Sequence, residues 1–415
     1  MTRVLISGIG MISNLGQSLE IHRDCLKSLN PPLQNHDMLC YENLIHHVEV
    51  ENARDYIKNK KAMRFYGQDT VFGCVATKLA IEDAGFSEED MKLYSNDTGL
   101  ILGSTYAAMP LEICHLIKEN NYITNENRID YSLLGEEGIR KLPPLWMLGK
   151  LPNTTAGQIS IENGIKGVNF SIVNGMNSGI VSIGEAFLAL RQERAKRIFC
   201  GGTEVELQPE HMAEARRLGI PVTNPGDSIL FGTNSQGYVF SEGACIFALT
   251  NESSNKNQEY GEILGYWNSY IPDWKELDKQ ELVPYYMNSM EQVMSMSGVK
   301  PEDVDFIQAS AGGYSALDLA EARAIYNIFP KSPYITAVQS YIGYTRNASG
   351  AFSTAVACLE LKEGCIYPLR EGNSLYMENK LNYVKEHQVH SNPKVCIVNS
   401  FTYLGEVCSL LIRKS

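Results

Sequence analysis

The strongest constraint on the fold is the order of its elements. Short β-branched runs, 3-RVLISG-8, 98-TGLILGS-104, 168-VNFSIV-173, 197-RIFCGG-202 and 244-ACIFAL-249, read as buried strands. Between them, 67-GQDTVFGCVATKLAIEDAG-85 and 178-SGIVSIGEAFLALRQ-192 carry apolar residues every three or four positions, the mark of helices with a buried face. The theme returns with 260-YGEILGYWNSY-270, 304-VDFIQAS-310, 334-YITAVQS-340, 395-VCIVNSF-401 and 406-EVCSLLIRK-414, with helical patterns at 315-SALDLAEARAIYNIF-329 and 350-GAFSTAVACLELKEG-364. Strands alternating with helices predict an α/β layered fold. The repeated order predicts a duplicated core, residues 1–250 as the first half and 259–415 as the second, joined by a polar segment near 250–258. The stretches 30–64 and 106–151 are more polar and less periodic, and read as insertions or lids over that core.

Length agrees with two units. A chain of 415 residues with 44% apolar and 20% charged residues exceeds the usual size of one hydrophobic core. A net charge of −12 argues against nucleic acid or an anionic membrane as partner, since both require clustered Lys and Arg. No apolar run reaches the roughly 18 residues of a membrane span, and the opening MTRVLISGIG lacks a signal peptide's basic start, so a cytoplasmic location is expected. Ten scattered cysteines without a CxxC pair predict reduced thiols used as small core residues.

One segment poses a chemical question. In 174-NGMNSGIVSIGEAF-187 a strand, a small-residue turn and a helix follow one another as in a nucleophile elbow, yet Met176 stands at the apex. A thioether has no proton to lose and cannot serve as an acyl acceptor.

The blocks 62-AMRFYGQDTVFGCVATKLAIEDAGF-86, 151-LPNTTAGQISIENGIKGVNFSIVNG-175, 196-KRIFCGGTEVE-206 and 237-GYVFSEGACIFAL-249, with the opening RVLISGIGMISNLG and the closing NSFTYLGE, resemble the β-ketoacyl synthases over nearly the whole chain. That resemblance implies a thiolase fold, two pseudo-duplicated α/β halves in a layered αβαβα core. It also implies an elbow cysteine, two histidines from second-half loops and a supporting lysine. Here Met176 replaces the cysteine. The first histidine loop reads 310-SAGGY-314, which puts Ser310 at the histidine; the second reads 339-QSYIGY-344, with Gln339 for the lysine and Tyr344 for the histidine. No histidine lies between His211 and His387, so no shift of register restores either one.

A synthase-like chain without its nucleophile resembles the chain-length factor of type II polyketide synthases. The resemblance then implies a heterodimer with an active ketosynthase and contact with an acyl carrier protein. No cofactor would be bound, and a phosphopantetheine-tethered acyl chain would be presented through the partner subunit. The residues implied at the tunnel or interface are Met109, Leu111, Ile113, Leu116, Val173, Met176 and Asn177. The better-known chain-length factors carry Gln at the elbow, so Met176 departs from them. The closing turn 401-FTYLG-405 has lost two glycines of the family pattern, which predicts a stiffer, partly plugged entrance.

Several features favour structural over chemical roles. Tyr314 and Tyr344 read as wall residues, and Asp318 and Glu321 as caps or loop anchors. The near-fingerprint 8-GIGMIS-13 lacks its third glycine and is a weak signal for a dinucleotide. Glu112, Cys114 and His115, like His46 and His47, lack zinc-site spacing, so no metal is expected. Two other functions stay open at this level: acyl transfer or cyclisation through Ser178, Ser310 or a tyrosine, and a scaffold homodimer.

Overall fold

A computed structural model describes residues 2–28, 37–40, 43–105, 109–123, 126–205, 209–251, 259–370 and 374–415. The first half contributes strands β1 (Leu5–Ile12), β2 (Thr98–Gly103), β3 (Asn169–Ile172), β4 (Arg197–Glu204) and β5 (Gly243–Thr250). The second contributes β6 (Gly261–Tyr270), β7 (Phe306–Gln308), β8 (Tyr334–Thr336), β9 (Asn382–Tyr383), β10 (Val395–Phe401) and β11 (Glu406–Arg413). Hydrogen bonds join them into one 11-stranded sheet, in the order β9-β8-β7-β10-β11-β6-β1-β5-β4-β2-β3.

The duplication is explicit in the strand senses. In the first half β3, β2 and β4 are parallel neighbours, β5 is antiparallel to β4, and β1 is antiparallel to β5. In the second, β8, β7 and β10 are parallel neighbours, β11 is antiparallel to β10, and β6 is antiparallel to β11. The two halves meet where β1 pairs with β6 at Leu5 and Glu262. Of the joint expected near 250–258, residues 252–258 lie outside those described.

Among the described residues, the helices that bear on the site are α1 (Gln68–Asp83), α2 (Leu111–Asn121), α3 (Pro152–Asn163), α4 (Ser178–Arg191), α5 (Pro209–Arg217), α6 (Lys279–Ser297), α7 (Ser315–Ile328) and α8 (Ser349–Glu363). Successive strand side chains point to opposite faces, and β5 shows the result. Its Ala244, Ile246 and Ala248 pack with Phe72, Val75 and Ala76 of α1. Its Cys245, Phe247 and Leu249 pack with Ile180 and Phe187 of α4 and Phe352 of α8. In β10 and β11, Val398 and Leu410 face that same central helix pair, whereas Ile397 and Leu411 face Met290 of α6 and Ile325 of α7. The layers are therefore outer helices, the first half of the sheet, central helices, the second half of the sheet and outer helices. Helix α8 is buried continuously from Ser349 to Leu361, as a helix lying between two sheets must be.

One expectation needs correction. The run 168–173 is not a buried strand: β3 is the last strand of the sheet, with Phe170 39% and Val173 48% exposed. Val168 and Ile172 pack against the core, while Phe170 and Val173 stay exposed in this single chain. Helices α3 and α6, in turn, were not singled out by periodicity. The start of α6 is legible in hindsight from the reciprocal capping of Asp278 and Glu281, a local signal independent of apolar spacing.

The opening glycines are explained by packing. A Cβ on Gly8 or Gly10 of β1 would collide with the Ala80 or Ala76 carbonyl of α1, so the near-fingerprint lets a helix lie close against a strand. The described cysteines are unpaired, and all but Cys114 are buried; the side chain of Cys40 lies outside those described. No helix among the described residues is long and apolar enough to cross a membrane.

Candidate functional site

The elbow is built by the chain between β3 and α4. Gly175 has φ +55°, and a Cβ there would overlap the Glu406 carboxylate, so both conformation and space require glycine. Met176 and Asn177 complete a 3-10 turn and are 1% and 0% exposed. Asn177 is locked to the second half: its amide donates to the Ser400 carbonyl at 2.8 Å and its side-chain oxygen accepts from the Ser400 hydroxyl at 2.6 Å. The Ser178 hydroxyl accepts from the Asn174 amide at 2.9 Å and donates to the Gly175 carbonyl at 2.8 Å. That hydroxyl is a fastener of the turn.

The positions implied for histidines are packed as firmly. Ser310 donates its hydroxyl to the Phe401 carbonyl at 2.9 Å and accepts from the Phe401 amide at 2.7 Å. Its own amide donates to both oxygens of Glu321, while Asp318 accepts from the amides of Phe231, Gly312 and Gly313. These carboxylates anchor the loop. Burial pushes the Asp318 carboxyl up to about 7 and that of Glu321 up to about 8, against the hydrogen bonds that favour the ions.

Tyr344 is 4% exposed and belongs to an aromatic cluster. Its ring lies 4.4 Å from that of Tyr238 and 5.8 Å from that of Tyr403, and Tyr314 meets Tyr238 edge-on at 6.0 Å. Tyr403 comes from the closing turn 401–405, between Thr402 and Leu404, which stand at the two lost glycines. Gln339 turns away to donate to the Ser353 hydroxyl of α8 at 3.0 Å. The structure thus brings Met176 and Tyr344 into one core with Phe401, the residue holding Ser310, and leaves Gln339 on the central helix.

Sequence reasoning missed the residues that touch Met176. Arg346, 1% exposed, donates from Nε to the Met176 sulfur at 3.1 Å and reaches Glu214 of α5 at 3.6 Å. Its neighbour Asn347 donates to the Thr203 carbonyl at 2.7 Å, the Thr105 hydroxyl at 2.8 Å and the Glu204 carboxylate at 3.0 Å. Thr105 and Glu204 line a polar cavity of about 100 Å³, together with Asp69, Lys150 and His211. Burial, then the nearby charges of Arg346 and Lys150, push the His211 imidazole down to about 2, so it is neutral. The available signal was a charged residue at the start of an apolar helix in 344-YTRNASGAF-352.

Comparison with known proteins fixes the family. Residues 3–255 match the Beta-ketoacyl synthase, N-terminal domain, and residues 279–373 the Beta-ketoacyl synthase, C-terminal domain. The chain belongs to the β-ketoacyl synthase family. It is 26% identical to a 3-oxoacyl-[acyl-carrier-protein] synthase 2 of Coxiella burnetii, across 99% of this chain and 98% of that protein. It is also 26% identical to the protein of the same name from Staphylococcus aureus, across 99% and 98%. Among solved structures it is similar to the ishigamide ketosynthase/chain length factor, with TM-score 0.83 and 19% identity, covering 100% of this chain and 99% of that one. A β-ketoacyl synthase from Burkholderia phymatum superposes with TM-score 0.81 at 20% identity, covering 100% of both chains. These structural likenesses establish the thiolase fold.

In this β-ketoacyl synthase-family chain the remaining candidates divide between core and surface. Ile113 of α2 is 3% exposed and Leu116 is half-buried, whereas Met109 and Leu111 are 47% and 49% exposed. The four do not share one buried face. Exposed large apolar side chains are concentrated in the segment 109–173, from Met109 through Ile139, Met147 and Ile161 to Phe170 and Val173. Glu112, Cys114 and His115 are exposed on α2, where His115 pairs with Glu119 at 3.1 Å, and His47 pairs with buried Glu242 at 2.9 Å.

Proposed function

We propose that this chain is a ketosynthase-like subunit of type II polyketide biosynthesis without a nucleophile of its own, a chain-length factor. In this reading it pairs with an active ketosynthase and shapes the tunnel holding the growing polyketide or polyene chain. The carrying observation is the state of the reaction positions: each is occupied by a group engaged in packing. Met176 lies under Arg346, the Ser310 hydroxyl is tied to Phe401, and the Tyr344 ring packs at a tilt against Tyr238. The family's acyl transfer and decarboxylation use a thiolate and imidazoles, and Met176, Ser310 and Tyr344 offer neither.

The fold similarity to a ketosynthase/chain length factor supports this reading. So does β3, an unpaired apolar edge of the kind that adds a strand from a partner. The acyl carrier protein would deliver its phosphopantetheine-tethered chain through the partner subunit. The two hydroxyls that could serve an alternative acyl transferase, Ser178 and Ser310, are both spent on backbone hydrogen bonds. The test is co-expression with the ketosynthase encoded beside it, followed by native mass analysis and product analysis. A one-to-one complex that makes product only when both chains are present is expected. A homodimer that ignores every ketosynthase offered would sink the proposal.

A further inference from the structure

The elbow has an internal counterpart. Asn174, Gly175 and Ser178 precede and open α4, and Thr345, Arg346 and Ser349 do the same for α8. Ser178 accepts from the Asn174 amide, and Ser349 accepts from the Thr345 amide at 2.9 Å. Gly175 and Arg346 both have left-handed backbones, φ +55° and +43°. Glycine adopts that conformation without strain, and an arginine does not. The second half therefore keeps a large, buried, strained cation where the first keeps glycine. Such a residue persists only where its side chain has a use.

That side chain crosses the space behind the elbow, from the Met176 sulfur to Glu214 of α5. A guanidinium keeps its charge at any ordinary pH. An alkyl or polyene chain entering there would have to lie against that ion or strip it from its partners, and both are unfavourable in a buried site. The adjoining cavity is small, and its lining mixes Leu151, Pro152 and Val205 with Asp69, Lys150 and Glu204, so a chain entering it would meet those charges. We propose that Arg346 is a specificity-determining plug: it closes the acyl path behind the Met176 elbow and sets where a chain in this subunit must stop. The placing of that stop within a tunnel rests on the subunit reading above; the closure itself does not.

The experiment has two arms. Decanoate binding to the purified chain, followed by isothermal calorimetry, should be undetectable for the wild type and roughly tenfold or more tighter for Arg346→Ala, since each buried methylene multiplies affinity about fourfold. In the heterodimer with its ketosynthase, Arg346→Ala should lengthen the product, and Arg346→Lys should keep it close to wild type. Saturable decanoate binding by the wild type, with the ligand against Met176 in a soaked crystal, overturns the plug even if the alanine variant does not fold. A folded variant that binds no decanoate and leaves product length unchanged overturns it as well, while the subunit reading survives. Failure to pair with any ketosynthase defeats the subunit reading, and the decanoate arm still decides the plug.

Discussion

Gly175 and Glu321 show how far single residues carry the site. Gly175 combines a left-handed backbone with a carboxylate where a side chain would begin. Gly175→Ala should therefore lower stability by about 1–3 kcal/mol, measured by denaturant unfolding. A neutral result would mean that the turn relaxes and the elbow is not held. Glu321 governs a pH effect. Burial holds its folded carboxyl near 8, against 4.5 for the exposed group, so between those values the native state keeps a proton that the unfolded chain loses. Stability from this group is fully present below 4.5 and is lost as pH rises towards about 8. Asp318, Glu360 and Glu406 are shifted in the same direction by burial, so Glu321→Gln should remove a share of the slope of Tm against pH. An unchanged slope would contradict the burial of an ionisable group there.

Among the elements, β3 and the central helices mark what the sequence does and does not disclose. Strand and helix positions were readable because period 2 and period 3.6 are local properties of burial on one face. The exposure of β3 was not readable, because a strand covered by its own chain and one awaiting another chain share the same apolar composition. Replacing Phe170 with Lys at this edge should weaken assembly by roughly tenfold or more while leaving Tm of the isolated chain nearly unchanged, as read by sedimentation and thermal unfolding. A large drop in the Tm of the isolated chain would show that the edge serves this chain's own core. The same limit applies to the tunnel or interface role expected of Met109, Leu111, Ile113 and Leu116. Ile113 and Ile117 face inward and Leu111 outward, a division set by tertiary neighbours that spacing alone does not specify.

At the scale of the molecule, the site lies where two duplicated halves face each other, and both supply the groups that fill it. The losses at Met176, Ser310 and Tyr344 were legible because an absent cysteine or histidine is a fact of composition. The packing of these positions was not, because Arg346 reaches Met176, and Tyr403 reaches Tyr344, only through the fold. Restoring the nucleophile alone should then fail. In Met176→Cys a thiol would sit beside the Arg346 guanidinium, a setting that favours the thiolate. The Ser310 hydroxyl remains bound to Phe401 and the Tyr344 ring remains in its cluster, so no group is placed to assist decarboxylation or carry charge on the enolate oxygen. The variant should take up at most a single acyl group from an acyl thioester, seen as a mass shift, and release no carbon dioxide from malonyl carrier protein above the wild-type background. Sustained turnover by Met176→Cys would mean that the second-half loops still carry catalytic power.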